Sequence, residues 1–464
     1  MTDTLFDTIA AISTPPGEGG IGIIKISGEE AFNIIAKIFY PAGKRKFDKE
    51  GRSFTMHLGY IKDRRGIIDE VLVSYMKAPN TYTREDIAEI NCHGGAVAVN
   101  EVLRLVLAHG ARPAQPGEFT KRAFINGRID LSQAEAVLDI VKAKTGKFLE
   151  TAISQLKGDL SEKLYNLTGT LKDILVKLEA NIDFPDEEDI DTFNPQEIKK
   201  FITTVIKELE NLMASYDTGK ILKDGVLTAL SGKPNVGKSS ILNSFLNFER
   251  AIVTPIPGTT RDVIEEQLNL NGIPFILADT AGITDSENLI EKEGVKRSRS
   301  YMDRAALVLL VFDGSIQFDD RDIELAGKAL SQRYIPVVNK TDLPKKLDTK
   351  ELAKKTGLKS KFVYISAKNG TGLKELEKRM TEMVITGGTG GSYDLMVTNS
   401  RHFSAIQKAA AELACAIDTL NSNSEPELIA YDVRSAMDLL GEITGEITNS
   451  EILEKIFSSF CVGK

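Results

Sequence analysis

The segment GKPNVGKS, residues 232–239, sets two glycines, a lysine and a serine at a spacing that can cradle a phosphate chain. Gly232 and Gly237 allow successive backbone N–H groups to curl around a β-phosphate, and a helix opening at Lys238 would turn its positive end toward the same anion. Lys238 can reach the β- and γ-phosphates, and Ser239 can offer its hydroxyl to Mg2+. Val236 and Ser240 line the same turn. A glycine loop of this kind has this meaning only between a strand and a helix. GVLTALS before it and SILNSFL after it read as that pair.

Three further motifs follow strand-like runs. In DTAG, Asp279 can hold the metal through water and the Gly282 amide, after Thr280 and Ala281, can sense a γ-phosphate. In NKTD, Asn339 and Lys340 precede Asp342, whose carboxylate can accept from the N1–H and 2-amino group that guanine has and adenine lacks. SAK, residues Ser366, Ala367 and Lys368, can close over the base. The four motifs in this order imply binding and hydrolysis of GTP with Mg2+. The catalytic set departs from that of small signalling GTPases, which place a glutamine directly after DxxG; here that position is Ile283. Another group must orient water, and another cation must offset transition-state charge. Asn235 could ligate a monovalent cation beside the phosphates, or simply cap its own loop. TPIPGTTRD at 254–262 contains Thr260, a candidate Mg2+ ligand, and a loop whose carbonyls could complete a cation site.

The elements that must carry these residues show three textures. Residues 1–120 mix short β-like runs (IGIIKIS, EVLVSYMKAP, DIAEINCHGG) with helical stretches, an α+β pattern. From about Leu131 long helical periodicity takes over, through LSQAEAVLDIVKAKTG and then FLETAISQLKGDL to NIDF. Residues 225–385 alternate strands and helices as a doubly wound α/β sheet does. Beyond TGGTGGS the chain reads as helix over 399–422 and 425–460. The economical organisation is an N-terminal domain (1–120), one all-α domain in two segments (121–217 and 386–464), and an inserted α/β P-loop domain (218–385). Gly17-x-Gly19-x-x-Gly22 is formally a dinucleotide fingerprint, but IGIIKIS reads as a strand where a helix should begin. The helix after it should start behind a capping box at Ser27–Glu30. His93 in NCHGG could be a ligand contact or a hydrogen-bonded structural histidine.

Composition bounds the alternatives. A chain of 464 residues with 42% hydrophobic and 27% charged residues reads as globular and multidomain. It has no apolar run of membrane-spanning length, and its start lacks a basic leader, so a cytoplasmic protein without membrane association is expected. Three scattered cysteines and four histidines argue against a disulfide framework or structural zinc. A net charge of −8 argues against coating nucleic acid by bulk attraction, while leaving room for local basic patches such as GKRKF. The final CVGK lacks the polybasic neighbour and the terminal residue of a prenylation box. Cys461 could be a reactive thiol or a small packing residue.

GKPNVGKS, the TxIxGTTRD loop, DTAG and the terminal C-x-G-K together resemble the MnmE (TrmE) tRNA-modification GTPases. The resemblance runs the length of the chain and includes TPPGEGGIGIIKISG, PGEFTKRAFINGRIDLSQAEA, NIDFPDEE and LGEITGEITNSEILEKIFSSFCVGK. It implies K+ held by Asn235 and the carbonyls of Thr254, Ile256 and Thr259, which activates hydrolysis as two G domains of a homodimer meet. It implies Glu291 as the residue that positions water, where the residues by themselves suggest only a surface helix charge. It implies a tetrahydrofolate one-carbon donor, methylene or formyl, contacted by Lys25, Glu89, Arg128 and Lys464. Familiar members carry arginine at the position of Lys25, and lysine keeps the charge but not the bidentate fork. The terminal C-x-G-K is implied to lie near the one-carbon site, with Gly463 allowing backbone to approach the ligand and Cys461 as a candidate thiol for modification rather than for hydrolysis. The implied partner is MnmG (GidA), which carries the FAD, and the implied substrate is the wobble uridine of tRNA. A ribosome-assembly GTPase is the rival reading; such proteins append an RNA-binding module after the G domain, where this chain reads as helix.

Overall fold

A computed structural model describes residues 7–43, 52–183, 194–248, 265–279, 304–385, 395–422 and 425–464. The described chain divides into two compact units. The first comprises Met1–Val141, Ile153–Thr203 and Ala411–Lys464, the second Lys142–Ala152 and Thr204–Ala410.

The first unit begins with a sheet built from β1 (Ile9–Ile12), β2 (Gly22–Ser27), β3 (Phe39–Pro41), β4 (Thr55–Asp63), β5 (Gly66–Met76), β6 (Ile87–Cys92) and β7 (Arg112–Pro113). Their order is β3-β4-β5-β6-β2-β1-β7, antiparallel except where β1 meets β7. Alternation along β2 decides what faces where. Ile24 and Ile26 are buried in the core with α1 (Ala31–Ile38) and α2 (Ala96–Ala108), so Lys25 takes the other face, paired in register with Glu89. The expected strand at 21–27 is there, which rules out a dinucleotide helix at that position. The expected capping box is not. Ser27 Oγ bonds Thr83 and Glu85, and α1 starts at Ala31 with no side-chain cap from Glu30.

The helices α3 (Glu118–Ile125), α4 (Leu131–Lys142), α5 (Gly146–Lys157), whose residues up to Ala152 belong to the second unit, and α6 (Asp159–Asp183) follow. The long periodic run breaks between α5 and α6 at Gly158, whose φ of 97° a β-carbon would strain. Buried Leu160, Leu164, Leu167, Leu171, Ile174 and Leu178 give α6 an apolar stripe at three- and four-residue spacing. The 425–460 stretch is likewise two helices rather than one. In the numbering of the whole chain these are α14 (Pro426–Thr444) and α15 (Ser450–Ser458). Gly445 ends the first in the left-handed region, its N–H donating to Gly441 O, and Asn449 caps the second. α6 packs against α14, while Phe457 and Phe460 seal a core with Ala123, Ile129, Leu131 and Ala134.

In the second unit α7 (Pro195–Ala214), which begins in the first, leads to α8 (Tyr216–Asp224) and the strands β8 (Val226–Ser231), β9 (Glu265–Leu270), β10 (Ile273–Asp279), β11 (Leu307–Asp313), β12 (Tyr334–Asn339) and β13 (Val363–Tyr364). The order β13-β12-β11-β8-β10-β9 is parallel except for β9. β11 is buried along its whole length, as a central parallel strand must be. α9 (Lys238–Phe248) and α12 (Leu373–Ile385) cover one face of the sheet; α10 (Asp320–Ala329) and α11 (Thr349–Thr356) cover the other. This is the expected doubly wound arrangement. α13 (Ser400–Asn421) leads out of the unit. No helix among the described residues is long and apolar enough to cross a membrane.

Candidate active site

The glycine loop sits at the end of β8, where the strand order reverses and a doubly wound sheet opens a crevice. Gly232 has φ 159°, ordinary extended backbone, but a β-carbon there would lie 2.4 Å from Val311 O. Gly237 has φ 96°, and a β-carbon would meet Asn339 Nδ2 at 2.3 Å. Lys238 Nζ spans the loop, donating to Gly232 O (2.8 Å) and Lys233 O (2.9 Å). Ser239 and Ser240 follow in the first turn of α9. Asn235 is exposed at φ 64°, a left-handed conformation that asparagine tolerates, and its side-chain amide makes no hydrogen bond among the described residues.

The base motifs converge on this loop. Asn339 Nδ2 donates to Val236 O (2.9 Å), and its Oδ1 accepts from Ala367 N (3.0 Å). Lys340 Nζ donates to Asn235 O (2.7 Å) and to Asp313 Oδ2 (2.6 Å). Burial pushes Asp313 upward, but the Lys340 and Ser315 bonds outweigh it and hold its carboxyl below the usual range. Ser366 Oγ donates to Asp342 Oδ1 (2.7 Å). That bond, with Lys368 and Lys340 nearby, holds the Asp342 carboxyl low, keeping it an acceptor at neutral pH. Asp279 closes β10. Thr254, Ile256, Thr259, Thr260, Thr280, Ala281, Gly282 and Glu291 lie outside the described residues.

Sequence reasoning missed one member of the loop. The Lys233 ammonium reaches back to the start of α10, 3.0 Å from Asp319 Oδ2 and 2.6 Å from Asp322 Oδ2. Those two residues form the capping box of α10. The glycine pattern leaves position 233 free, and the nearer partner, Asp319, lies 86 positions away, so no local signal marks the contact.

In the first unit a cavity of about 430 Å3 is lined by Lys25, Tyr82, Arg128, Gln133 and Lys464, with Ile129, Val137, Ile140, Val141 and Leu156 as its apolar wall. Lys25 Nζ lies 3.8 Å from Glu89 Oε1. Burial pulls the Lys25 ammonium below its ordinary pKa, opposed by Glu89 and assisted by Lys464. The cations share aromatic support that the motifs did not announce. Lys25 Nζ is 5.5 Å and Arg128 Cζ 4.7 Å from the Tyr82 ring centroid, and Lys25 Nζ is 5.6 Å from that of Phe119. The Tyr82 hydroxyl shares a 2.9 Å bond with Thr120.

The tail docks on the same unit through its backbone. Ser13 Oγ donates to Gly463 O, Gly117 N to Cys461 O and Phe119 N to Lys464 O. Gly463, at φ 91°, presses against the chain itself rather than leaving an opening: a β-carbon would stand 2.4 Å from Ile12 O. Lys464 joins Lys25 and Arg128 at the cavity, whereas Cys461 is exposed and is not among the lining residues. His93 is a surface histidine bonded to Asp69 (2.7 Å).

Residues 8–128 match the model of the GTP-binding protein TrmE N-terminus, and residues 131–461 that of the MnmE helical domain. The tRNA modification GTPase MnmE of Lactiplantibacillus plantarum is 46% identical over the full length of both chains. That of Thermoanaerobacter pseudethanolicus is 47% identical over 99% of this chain and 100% of its own. Among solved structures, Era of Aquifex aeolicus bound to GDP·AlF4− is similar over 40% of this chain and 65% of its own, at 29% identity and a TM-score of 0.28. With two family models and full-length identities near one half, the chain belongs to the MnmE (TrmE) family.

Proposed function

We propose that this chain is a GTP hydrolase of tRNA modification that works as a homodimer in the cytoplasm with the FAD-bearing MnmG. Together they install an aminomethyl-type group, carboxymethylaminomethyl when glycine is the amine, on the wobble uridine. The observation that carries the nucleotide half is the convergence of Lys238, Asn339 and Lys340 on one glycine loop, with the Asp342 carboxylate of the same base motif fixed by Ser366. Asp342 reads the guanine edge, Asn339 and Lys340 hold the loop in shape, and Lys238 exchanges loop carbonyls for phosphate oxygens when GTP enters. The organisation is a tetrahydrofolate-binding domain at 1–120, a helical domain at 121–217 and 386–464, and an inserted G domain at 218–385.

Asn235 and Ser239 present oxygen donors suited to hard cations, and they would hold K+ and Mg2+ with Thr254, Ile256, Thr259 and Thr260. Those ions would offset phosphate charge, and Glu291 would orient water. The cation-rich, aromatic and aliphatic cavity suits a tetrahydrofolate derivative, an aromatic body with an acidic tail. There the one-carbon unit would be supplied, Glu89 would pair with the pterin edge, and Lys25, Arg128 and Lys464 would meet carboxylates. The deciding experiment is mass spectrometry of wobble uridines in tRNA from cells lacking this protein. Loss of the modification is expected, and its persistence would refute the reading.

A further inference from the structure

The charge of the second unit is not evenly spread. Residues 345–361 contain Lys345, Lys346, Lys350, Lys354, Lys355, Lys359 and Lys361 against two acids, in a chain whose net charge is −8. All seven lysines are exposed. Both acids are already engaged: Asp348 caps α11 through Lys350 N and Glu351 N, and Glu351 pairs with Lys355 at 3.0 Å. Lys346, Lys350, Lys354, Lys359 and Lys361 have no ion-pair partner among the described residues. Unpaired like charges at this density repel one another, so the surface costs stability unless a polyanion meets it. Beside it stands the exposed ring of Tyr364, its hydroxyl 3.1 Å from Thr349 Oγ1 and Lys345 Nζ 5.4 Å from its centroid.

We propose that this lysine surface, α11 with its two flanks and Tyr364, binds the phosphate backbone of tRNA, and so gives the proposed function a substrate contact on the nucleotide-binding unit. The proposal rests on that reading for the identity of the RNA. The surface offers several separate cations, as contacts along a phosphate chain require, and exposed Tyr364 offers a ring to an unstacked base. An amphipathic membrane anchor would need a row of large apolar side chains along the helix beside the lysines, and α11 presents none: Leu352 is buried and Ala353 half-buried, and on the flanks only Leu343 and Tyr364 are exposed large apolar side chains. None of these lysines belongs to the GTP motifs.

The test uses the full chain and a fluorescently labelled tRNA, titrated by anisotropy between about 50 and 200 mM KCl. Each phosphate contact contributes roughly 0.7 to 0.9 to the slope of log K against log salt. Replacing Lys350, Lys354 and Lys359 with glutamate should therefore weaken binding by roughly tenfold or more and shallow the slope by about 2 to 3. The three arginine replacements should preserve both, and GTP hydrolysis should be unchanged throughout. Equal affinity and slope in the glutamate protein would overturn the proposal. So would wild-type binding to anionic vesicles or polyglutamate that the glutamate changes abolish while tRNA binding persists. Failure here leaves the uridine measurement standing. Persistence of the modified uridine in deleted cells would refute the functional reading without touching the titration.

Discussion

At the scale of single residues the nucleotide chemistry was legible because each role fixes both a residue type and a spacing. Gly237 must lack a β-carbon because Asn339 occupies that space, and the guanine-reading role proposed for Asp342 asks for a carboxylate because both guanine donors need an acceptor. Asp342→Asn should therefore lose guanine and favour a xanthine nucleotide, read out by competition of GTP and XTP for a fluorescent nucleotide. A retained preference for GTP would remove the base-reading role. Asn235 is tested best by glycine. Its φ of 64° means alanine would add backbone strain of roughly 1–2 kcal/mol to the lost amide. Asn235→Gly should abolish the excess of hydrolysis in KCl over NaCl while leaving GTP affinity within about a factor of three. Equal wild-type rates in the two salts at matched ionic strength would sink the K+ assignment. Lys233 was illegible for the opposite reason, since its meaning lies entirely in a distant partner.

At the scale of elements, packing overruled local pattern. The periodicity of 131–183 and 425–460 is real, yet Gly158 and Gly445 take left-handed backbone that divides each run, and nothing local separates such a glycine from a tolerated one. Ser27 followed by Glu30 has the letters of a capping box, but Ser27 ends a strand and finds Thr83 and Glu85 instead. The short polar β9 escaped notice because EEQLNL lacks the apolar run of its neighbours. Two predictions belong here. Lys233→Ala cuts the tie between the glycine loop and α10, and should weaken GTP binding roughly three- to tenfold, with Lys233→Arg restoring it. An unchanged titration would make the pair a surface ornament. Gly463→Ala places a β-carbon against Ile12 O and should undock the tail, so tRNA modification with MnmG should fail while GTP hydrolysis continues. Cys461→Ser should show the same division if the thiol participates. Should both proteins modify tRNA normally, the tail is packing and nothing more.

At the scale of the molecule, the fold classes followed from texture, whereas the contacts that join distant segments could only be seen once folded. The clearest is the partly buried charge cluster in which Arg112 and Arg122 meet Asp7 and Glu118, with Glu85 also on Arg122. Burial pushes the Asp7 and Glu118 carboxyls up, but hydrogen bonds and charge from Arg112 and Arg122 outweigh it and leave both below their ordinary values. Their stabilisation is thus complete above about pH 5 and is lost as pH falls through about 4 and below. Glu118→Gln should lower the stability of the first unit at pH 7 by about 1.5–3 kcal/mol and flatten its acid dependence, as urea midpoints at pH 7, 5 and 4 would reveal. Identical acid dependence in the two proteins would show the cluster to be inert. The docked tail carries a consequence of another kind, one of timing. Ser13 and Gly463 are joined across 450 positions of sequence. At ribosomal speed, roughly 20 to 90 s pass between the appearance of the one and of the other. For that interval a nascent chain holds Lys25 and then Arg128 without Lys464 beside them, so the cavity is among the last features of the molecule to be finished.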